Sequence, residues 1–283
     1  MGRLTRTRPV VKVRTGPDGR VVRRSDTLAV EEPLEVRLGG TAYLVTMRTP
    51  GDDIDLVHGL LHGEGVIASA EDVVLARYCA GTDAEGHNTY NVLDVSLAPG
   101  VAPDGPIRQV VMNSACGLCG TTTIEQVTSA RRHPTTWREP IPVERVLEAP
   151  DRLREHQRAF DKTGGLHAAG LMDADGELVC VREDVGRHNA LDKVVGWAMR
   201  EGRLPLTGCA LVVSSRASYE LTQKAVLAGA ELLVAVSAPS SLAVELADEA
   251  GLTLVAFVRG ESMNVYTHPE RLDLAAVGQV PVG

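Results

Sequence analysis

Between residues 168 and 260 the chain alternates strand and helix: the hairpin "AAGLMDADGELVCVRED", the helix "NALDKVVGWAMREG", the strand "CALVVSS", the helix "YELTQKAVLAGA", the strand "LLVAVSA", the helix "SLAVELADEAG" and the strand "LTLVAFVRG". Strands joined through helices of this length return to the same edge direction by crossing a sheet face, which dictates an α/β sheet flanked by helices. The strands are unbroken apolar runs, as expected where both sheet faces are covered. Apolar residues make up 44% of the chain but aromatics only 3%, so the core must be built from Val, Leu and Ala. At 283 residues the chain exceeds the usual single-domain size, which suggests one large or two closely packed units.

Upstream, "LEVRLGGTAYLVTM" reads as two strands around Gly39-Gly40, followed by a helix in "TPGDDIDLVHGLLHGEG" and a second hairpin over "VVLARYCAGTDAEGHNTYNVLDVSLAPG". Residues 28–110 are therefore expected to form a smaller N-terminal α+β subdomain, with the strand "IRQVVM" leading on to the thiol loop. Residues 111–160 read as a mobile C-x-x-C loop, a short helix in "TTTIEQVTSARRHP", a Pro-rich connector and the helix-like "VERVLEAPDRLREHQRAF", interrupted by Pro150. Residues 161–283 form the α/β domain.

Charge is unevenly spread. Residues 1–24 hold eight Lys/Arg and one Asp, +7, against −8 for the whole chain, so the remainder carries −15. An acidic body does not advertise a nucleic-acid binder. Residues 1–27 read as a basic, disordered arm, because charge-rich, Gly/Pro-punctuated ends cannot bury enough apolar surface to order themselves. Arg23-Arg24 is followed by Ser25 and Asp26 rather than an apolar run, so it is no export signal, and no segment is long enough to span a bilayer. A cytoplasmic protein is expected. Five cysteines at wide spacings then argue against a disulfide framework, and Cys79, Cys180 and Cys209 lie in apolar, strand-like contexts that suit small core residues.

Cys116 and Cys119, in "NSACGLCG", are different. Zinc coordination, dithiol exchange and carriage of sulfur as a persulfide all use such a pair. Structural zinc needs four ligands, yet no second pair exists and His133 has no companion at finger spacing, so no metal is expected. "GGLHAAG" resembles half of a nucleobase-deaminase site, but the residue two past His167 is Ala169 rather than the proton-shuttling Glu. Dithiol exchange stays open, although Gly117 and Gly120 loosen the loop, and a mobile thiol suits a carrier that visits two sites. A helix N-terminus would help to ionise Cys116 for sulfur acceptance.

Other clusters surround ligand-like chemistry. "HGLLH" has metalloprotease spacing, but Gly59 stands where the general base is needed, so His58 and His62 read as packing or surface residues. Gly164 and Gly165 permit close backbone approach, beside His167. Asp184, Arg187, His188, Asn189 and Lys193 crowd one helix start, where ligand contact and helix capping with an ion pair are both open readings. Ser214, Ser215 and Arg216 between a strand and a helix offer what phosphate oxygens need. "SAPSS" and "FVRGES" repeat the idea at two further strand ends, without a Walker-type Gly-Lys-Ser/Thr, so a phosphorylated ligand is expected to be held rather than hydrolysed.

Taken in order, "NSACGLCG", "FDKTGGLHAAGL", "EDVGRHNALDKVVG", "SSRASYELTQKA", "SAPSSLAVELA" and "FVRG" followed by "NVYTHPERL" resemble the formate dehydrogenase accessory sulfurtransferase family over about residues 28–273. The resemblance implies a cytidine-deaminase-like mixed sheet and a homodimer. It implies a sulfurtransferase in which a cysteine desulfurase loads a persulfide onto Cys116, with Cys119 its partner. The sulfur then passes to molybdenum bis(molybdopterin guanine dinucleotide), destined for formate dehydrogenase. Phe257, Val258, Arg259, Gly260, Glu261 and Ser262 would contact that cofactor, and GDP- or GMP-like fragments would bind in its place. A thiol-disulfide oxidoreductase and a nucleotide-binding regulatory module with a zinc clip are the competing readings.

Overall fold

The computed structural model describes residues 4–79, 81, 89–103, 110–112 and 140–277. Cys116, Cys119, the expected short helix and its connector lie outside the described residues.

The first element overturns an expectation. Residues expected to be a disordered arm form an antiparallel hairpin, β1 (Thr5–Arg14) with β2 (Arg20–Ala29), in register from Thr5 opposite Ala29 to Arg14 opposite Arg20. The charge count obscured a strand pattern: Thr5, Thr7, Val11 and Val13 alternate with cations, and Gly16 turns the chain at φ 104°. The arm also runs past residue 27, to Ala29.

The N-terminal unit is a five-stranded sheet in the order β5-β6-β3-β4-β7. In it β3 (Glu32–Leu38) and β4 (Thr41–Arg48) form the expected hairpin, turning through Gly39 and Gly40 at φ 57° and 84°. Two successive left-handed residues make the tight turn that matches strand twist, and glycine takes them without strain. β5 (Val73–Tyr78) lies antiparallel to β6 (Val92–Leu97), and β7 (Val110–Met112) runs beside β4. Helix α1 (Asp53–Gly63) covers this sheet, burying Leu56, Val57, Leu60 and Leu61 against Leu34, Val36 and Leu93.

The second unit is the helix-flanked sheet that the alternation predicted; it is mixed in strand direction, in the order β10-β9-β11-β12-β13-β14. β11 (Ala210–Val213), β12 (Leu232–Ala235) and β13 (Thr253–Arg259) are parallel, whereas β9 (His167–Met172), β10 (Leu178–Asp184) and β14 (Ser262–Val265) run antiparallel to their neighbours. The edge strand β14 was hidden in the sequence because its Gly260-Glu261 turn looked like a ligand loop. Helices α4 (Arg187–Arg200), α5 (Tyr219–Leu227) and α6 (Ser241–Glu249) cover one face, and α2 (Val143–Glu155) the other. Strand periodicity sorts the core accordingly: Leu211, Val213, Leu233 and Ala235 face the three helices, while Ala210, Val212, Leu232 and Val234 face α2. That two-sided demand is why β11 and β12 contain no polar residue.

Pro150 does not interrupt α2, which continues to Glu155 because Val146, Ala149 and Leu153 anchor one buried face on both sides of it. The short α3 (Arg158–Thr163) follows and stops at Gly164, φ 65°. A two-strand contact, β8 (Ile141–Pro142) with β15 (Leu272–Asp273), fastens the start of α2 to the C-terminal segment.

The two units are docked through α1 and α4, which approach so closely that a Cβ on Gly59 would sit 1.9 Å from the Asp192 carbonyl oxygen and one on Gly196 1.8 Å from that of Asp55. Around this crossing lie buried ion pairs. Lys193 Nζ meets Asp184 at 2.7 Å and donates to Thr49 O at 2.9 Å, while Arg48 grips Asp53 through two bonds of 3.0 Å.

Candidate functional site

The carboxyl ends of β11, β12 and β13 open into a cavity of about 650 Å³, a size typical of small-molecule sites. One wall comes from those strand ends: Ser214, Val236, Val258, Arg259 and Gly260. A second comes from the turn between α3 and β9, with Gly164, Gly165, Leu166 and His167. The third is α2 and α3 themselves, which bring Asp151, Arg154, Gln157 and Phe160.

Each wall has a chemical reason. Ser214 Oγ accepts from Ala168 N at 2.9 Å, which fixes the hydroxyl while leaving its proton as a donor. Gly164 and Gly260 both have positive φ, 65° and 52°, and a Cβ on either would meet nothing within 4 Å, so their backbones stand open to a ligand. Arg154 lies 4.8 Å over the Phe160 ring and pairs with Asp161 at 2.6 Å, holding the aromatic face in place. Burial, and secondly the nearby Arg187 guanidinium, push the His167 imidazole below its ordinary pKa against the opposing pull of Asp184. His167 is therefore neutral near pH 7 and able to accept a proton or hydrogen bond.

Seven of the residues picked from sequence line this one cavity: Gly164, Gly165, His167, Ser214, Val258, Arg259 and Gly260. Others lie around it. Phe257, the residue before Val258, is 41% exposed and held at φ 54°, an unusual conformation for a bulky side chain, where the β13–β14 register shifts. Glu261 is in the turn and Ser262 begins β14. Arg187 opens α4, and its Nε is buried with no hydrogen-bond partner among the described residues. His188 is buried away from the cavity, its Nε2 3.5 Å from Ser218 Oγ and 3.4 Å from Glu220 Oε2. Ser215 is buried and donates to the Arg216 carbonyl at 3.1 Å, whereas Arg216 is exposed.

The open reading of the polar cluster at the start of α4 divides. Asp184 accepts from Thr49 N at 3.0 Å, Asn189 donates to Met47 O at 2.8 Å, and Lys193 caps Thr49 O. These three fasten the end of β4 and thus join the two units. His58 is likewise a packing residue, with Nδ1 2.7 Å from the Ile54 carbonyl oxygen. No group of three or more His, Cys, Asp and Glu side chains among the described residues is placed to hold a metal. Burial pushes the Cys180 thiol up to about 12 and that of Cys209 upward, which suits inert core cysteines.

Sequence reasoning missed the third wall. Its signal was compositional: the chain has only two phenylalanines. Phe160 lines the cavity, and Phe257 lies on the strand that supplies Val258, Arg259 and Gly260.

Residues 29–273, which include every wall of this cavity, match the family model described as the FdhD/NarQ family. The chain belongs to that family. Similar FdhD proteins include the sulfur carrier protein FdhD of Nocardia farcinica, 57% identical over 280 residues, covering 98% of each chain. The sulfur carrier protein FdhD of Streptomyces coelicolor is 56% identical over 284 residues, 99% of this chain and 100% of its own. A crystal structure of a formate dehydrogenase accessory protein from Desulfotalea psychrophila superposes with a TM-score of 0.72 over 95% of this chain and 100% of its own, at 24% identity, and so shares the fold. The FdhD/NarQ match begins at residue 29, leaving nearly all of the β1–β2 hairpin outside it.

Proposed function

We propose that the chain is a cytoplasmic sulfur carrier that takes sulfane sulfur from a cysteine desulfurase and delivers it to molybdenum bis(molybdopterin guanine dinucleotide) on the way to formate dehydrogenase. The relatives named sulfur carrier protein FdhD support the carrier role. The observation that carries the cofactor reading is the cavity at the parallel strand ends, where hydroxyl, guanidinium, imidazole and bare backbone converge beside an aromatic face. At about 650 Å³ it suits one nucleotide arm of such a substrate rather than the whole. The buried Arg187 Nε close by, without a hydrogen-bond partner among the described residues, is a further donor suited to an anion.

In loading, the Cys116 thiolate attacks the outer sulfur of the donor's persulfide. The donor S–S bond breaks, a new bond to Cys116 forms, and the donor cysteine leaves as thiolate. Cys119, three residues away, is the partner thiol. At the cavity, Arg259 would pair with phosphate, Gly164 and Gly260 would admit it to the backbone, and Phe160 would offer a stacking face. Neutral His167 would accept a hydrogen bond from the bound substrate. The deaminase-like ancestry of the sheet belongs to the same proposal; Ala169 stands two residues past His167 in place of a proton-shuttling Glu, so the group that hydrolytic deamination needs there is missing. Two copies of the chain are expected to act together.

Incubating the protein with a desulfurase and cysteine, then reading the mass of each cysteine-bearing peptide, tests the carrier role. One added sulfur on the Cys116 peptide is expected, absent in Cys116→Ala and reduced in Cys119→Ala. Full sulfur loading of Cys116→Ala would refute the assigned nucleophile.

A further inference from the structure

The β1–β2 hairpin has no role in the cavity, and its two faces differ in kind. Pairing of Arg6 with Leu28, Arg8 with Asp26, Val10 with Arg24, Lys12 with Val22 and Arg14 with Arg20 fixes one face. Six of its ten residues are cations. The opposite face carries Val11, Val13 and Val21 among Thr5, Thr7, Pro9, Ser25 and Thr27, with a single cation, Arg23.

Among the described residues, nothing covers either face over the outer half. Val11, Val13 and Val21 are 56%, 62% and 68% exposed. At about 3.3 Å per residue, ten paired residues make a ribbon roughly 30 Å long. Among the described residues it is held at its base, where Val30 N donates to Leu4 O at 3.0 Å and the strands touch α3. Its paired strands keep it from folding back as a loose tail would. A lone two-stranded ribbon is marginal in water, and one with exposed valines on a face gains from a covering surface.

The charge balance says which surface. The first 24 residues carry +7 and the rest of the chain −15, so the body of a second copy is complementary to the arm. The most uniform acidic surface among the described helices is α6, which shows Glu245, Asp248 and Glu249 with the exposed Leu242 and carries no Lys, Arg or His. An arm of cations and valines facing carboxylates and leucine satisfies both halves of the requirement. Exchange of two such arms about a twofold axis is self-closing, which limits the assembly to two copies.

We propose that the β1–β2 hairpin is an exchanged arm by which one copy of the chain grips the acidic body of a second. The proposal rests on the expectation of a dimer and names the element that holds it.

Sedimentation of the full-length protein at micromolar concentration, at about 50 and about 500 mM salt, reads both ideas separately, since salt shortens the range of exposed charge interactions. The comparison proteins are a variant with Arg6, Arg8, Lys12, Arg14, Arg20 and Arg24 each replaced by Gln, and a chain lacking residues 1–24. Thermal melts verify that their bodies remain folded. The expected result is a dimer at low salt that weakens at high salt and loses at least about tenfold in affinity in both altered proteins. A dimer constant unchanged in both would overturn the arm while leaving the dimer. A full-length protein that stays monomeric at low salt would overturn both. A monomer that instead binds a short DNA duplex through the six cations would assign the arm to nucleic acid, against the proposal.

Discussion

Arg259 stands exposed at the mouth of the cavity beside Gly260, whose φ of 52° leaves its backbone open. A charge-assisted pair to phosphate contributes about 1.5–3 kcal/mol, so Arg259→Ala should weaken GDP binding by roughly ten- to a hundredfold, read by calorimetry. GDP should raise the melting temperature of the native protein, because a ligand of the folded state alone stabilises it. Persulfide on Cys116 should be unaffected in the same variant. His58 and His167 make a second prediction at this scale. Burial lowers both pKa values from the ordinary 6.5, so the unfolded chain binds protons that the folded chain refuses. Their contribution is complete above about pH 6.5 and is lost as pH falls toward the folded values. Melting temperature should therefore drop between about pH 7 and pH 5, and less steeply in His167→Gln. An identical slope in that variant would show that His167 is not held neutral.

Helices α1 and α4 meet over glycine, and the contact tolerates nothing larger. Gly196→Ala would place its Cβ 1.8 Å from the Asp55 carbonyl oxygen, backbone that cannot rotate aside. The helices must separate, at a cost of at least about 2 kcal/mol, a fall of roughly 5 °C in melting temperature for a chain this long. In sequence, Gly196 is an unremarked residue in "VVGWAMREG", because helix-to-helix approach leaves no local pattern that a strand or turn would. The elements themselves were largely legible. Gly39-Gly40 announced its hairpin, apolar runs announced β11 to β13, and the helix lengths between them dictated parallel order. What failed were elements whose local signals conflicted. The cations of β1 and β2 masked their β-branched alternation, and Pro150 suggested a break that the buried face of α2 overrides.

At the scale of the whole molecule, two units share one buried polar seam. Lys193→Met would leave Asp184, fully buried, without its cation, and should cost about 3 kcal/mol, lowering the melting temperature by roughly 6–12 °C. Adding Asp184→Asn should return part of this, and a double variant no more stable than the single one would show that the pair is not what couples there. The seam also marks where sequence reading reaches its limit. Asp184, Asn189 and Lys193 look like ligand groups because backbone carbonyls and amides of a neighbouring strand ask for the same donors and acceptors as a ligand does. By itself the sequence determined the α/β alternation, the turns and the small polar strand ends, since each depends on neighbours along the chain. Only the tertiary structure decided that α2 and α3 close the cavity with Phe160, and that one polar cluster joins the units while another faces the ligand space. Those outcomes depend on which buried surfaces meet, and residues that meet across a core need share no pattern along the chain.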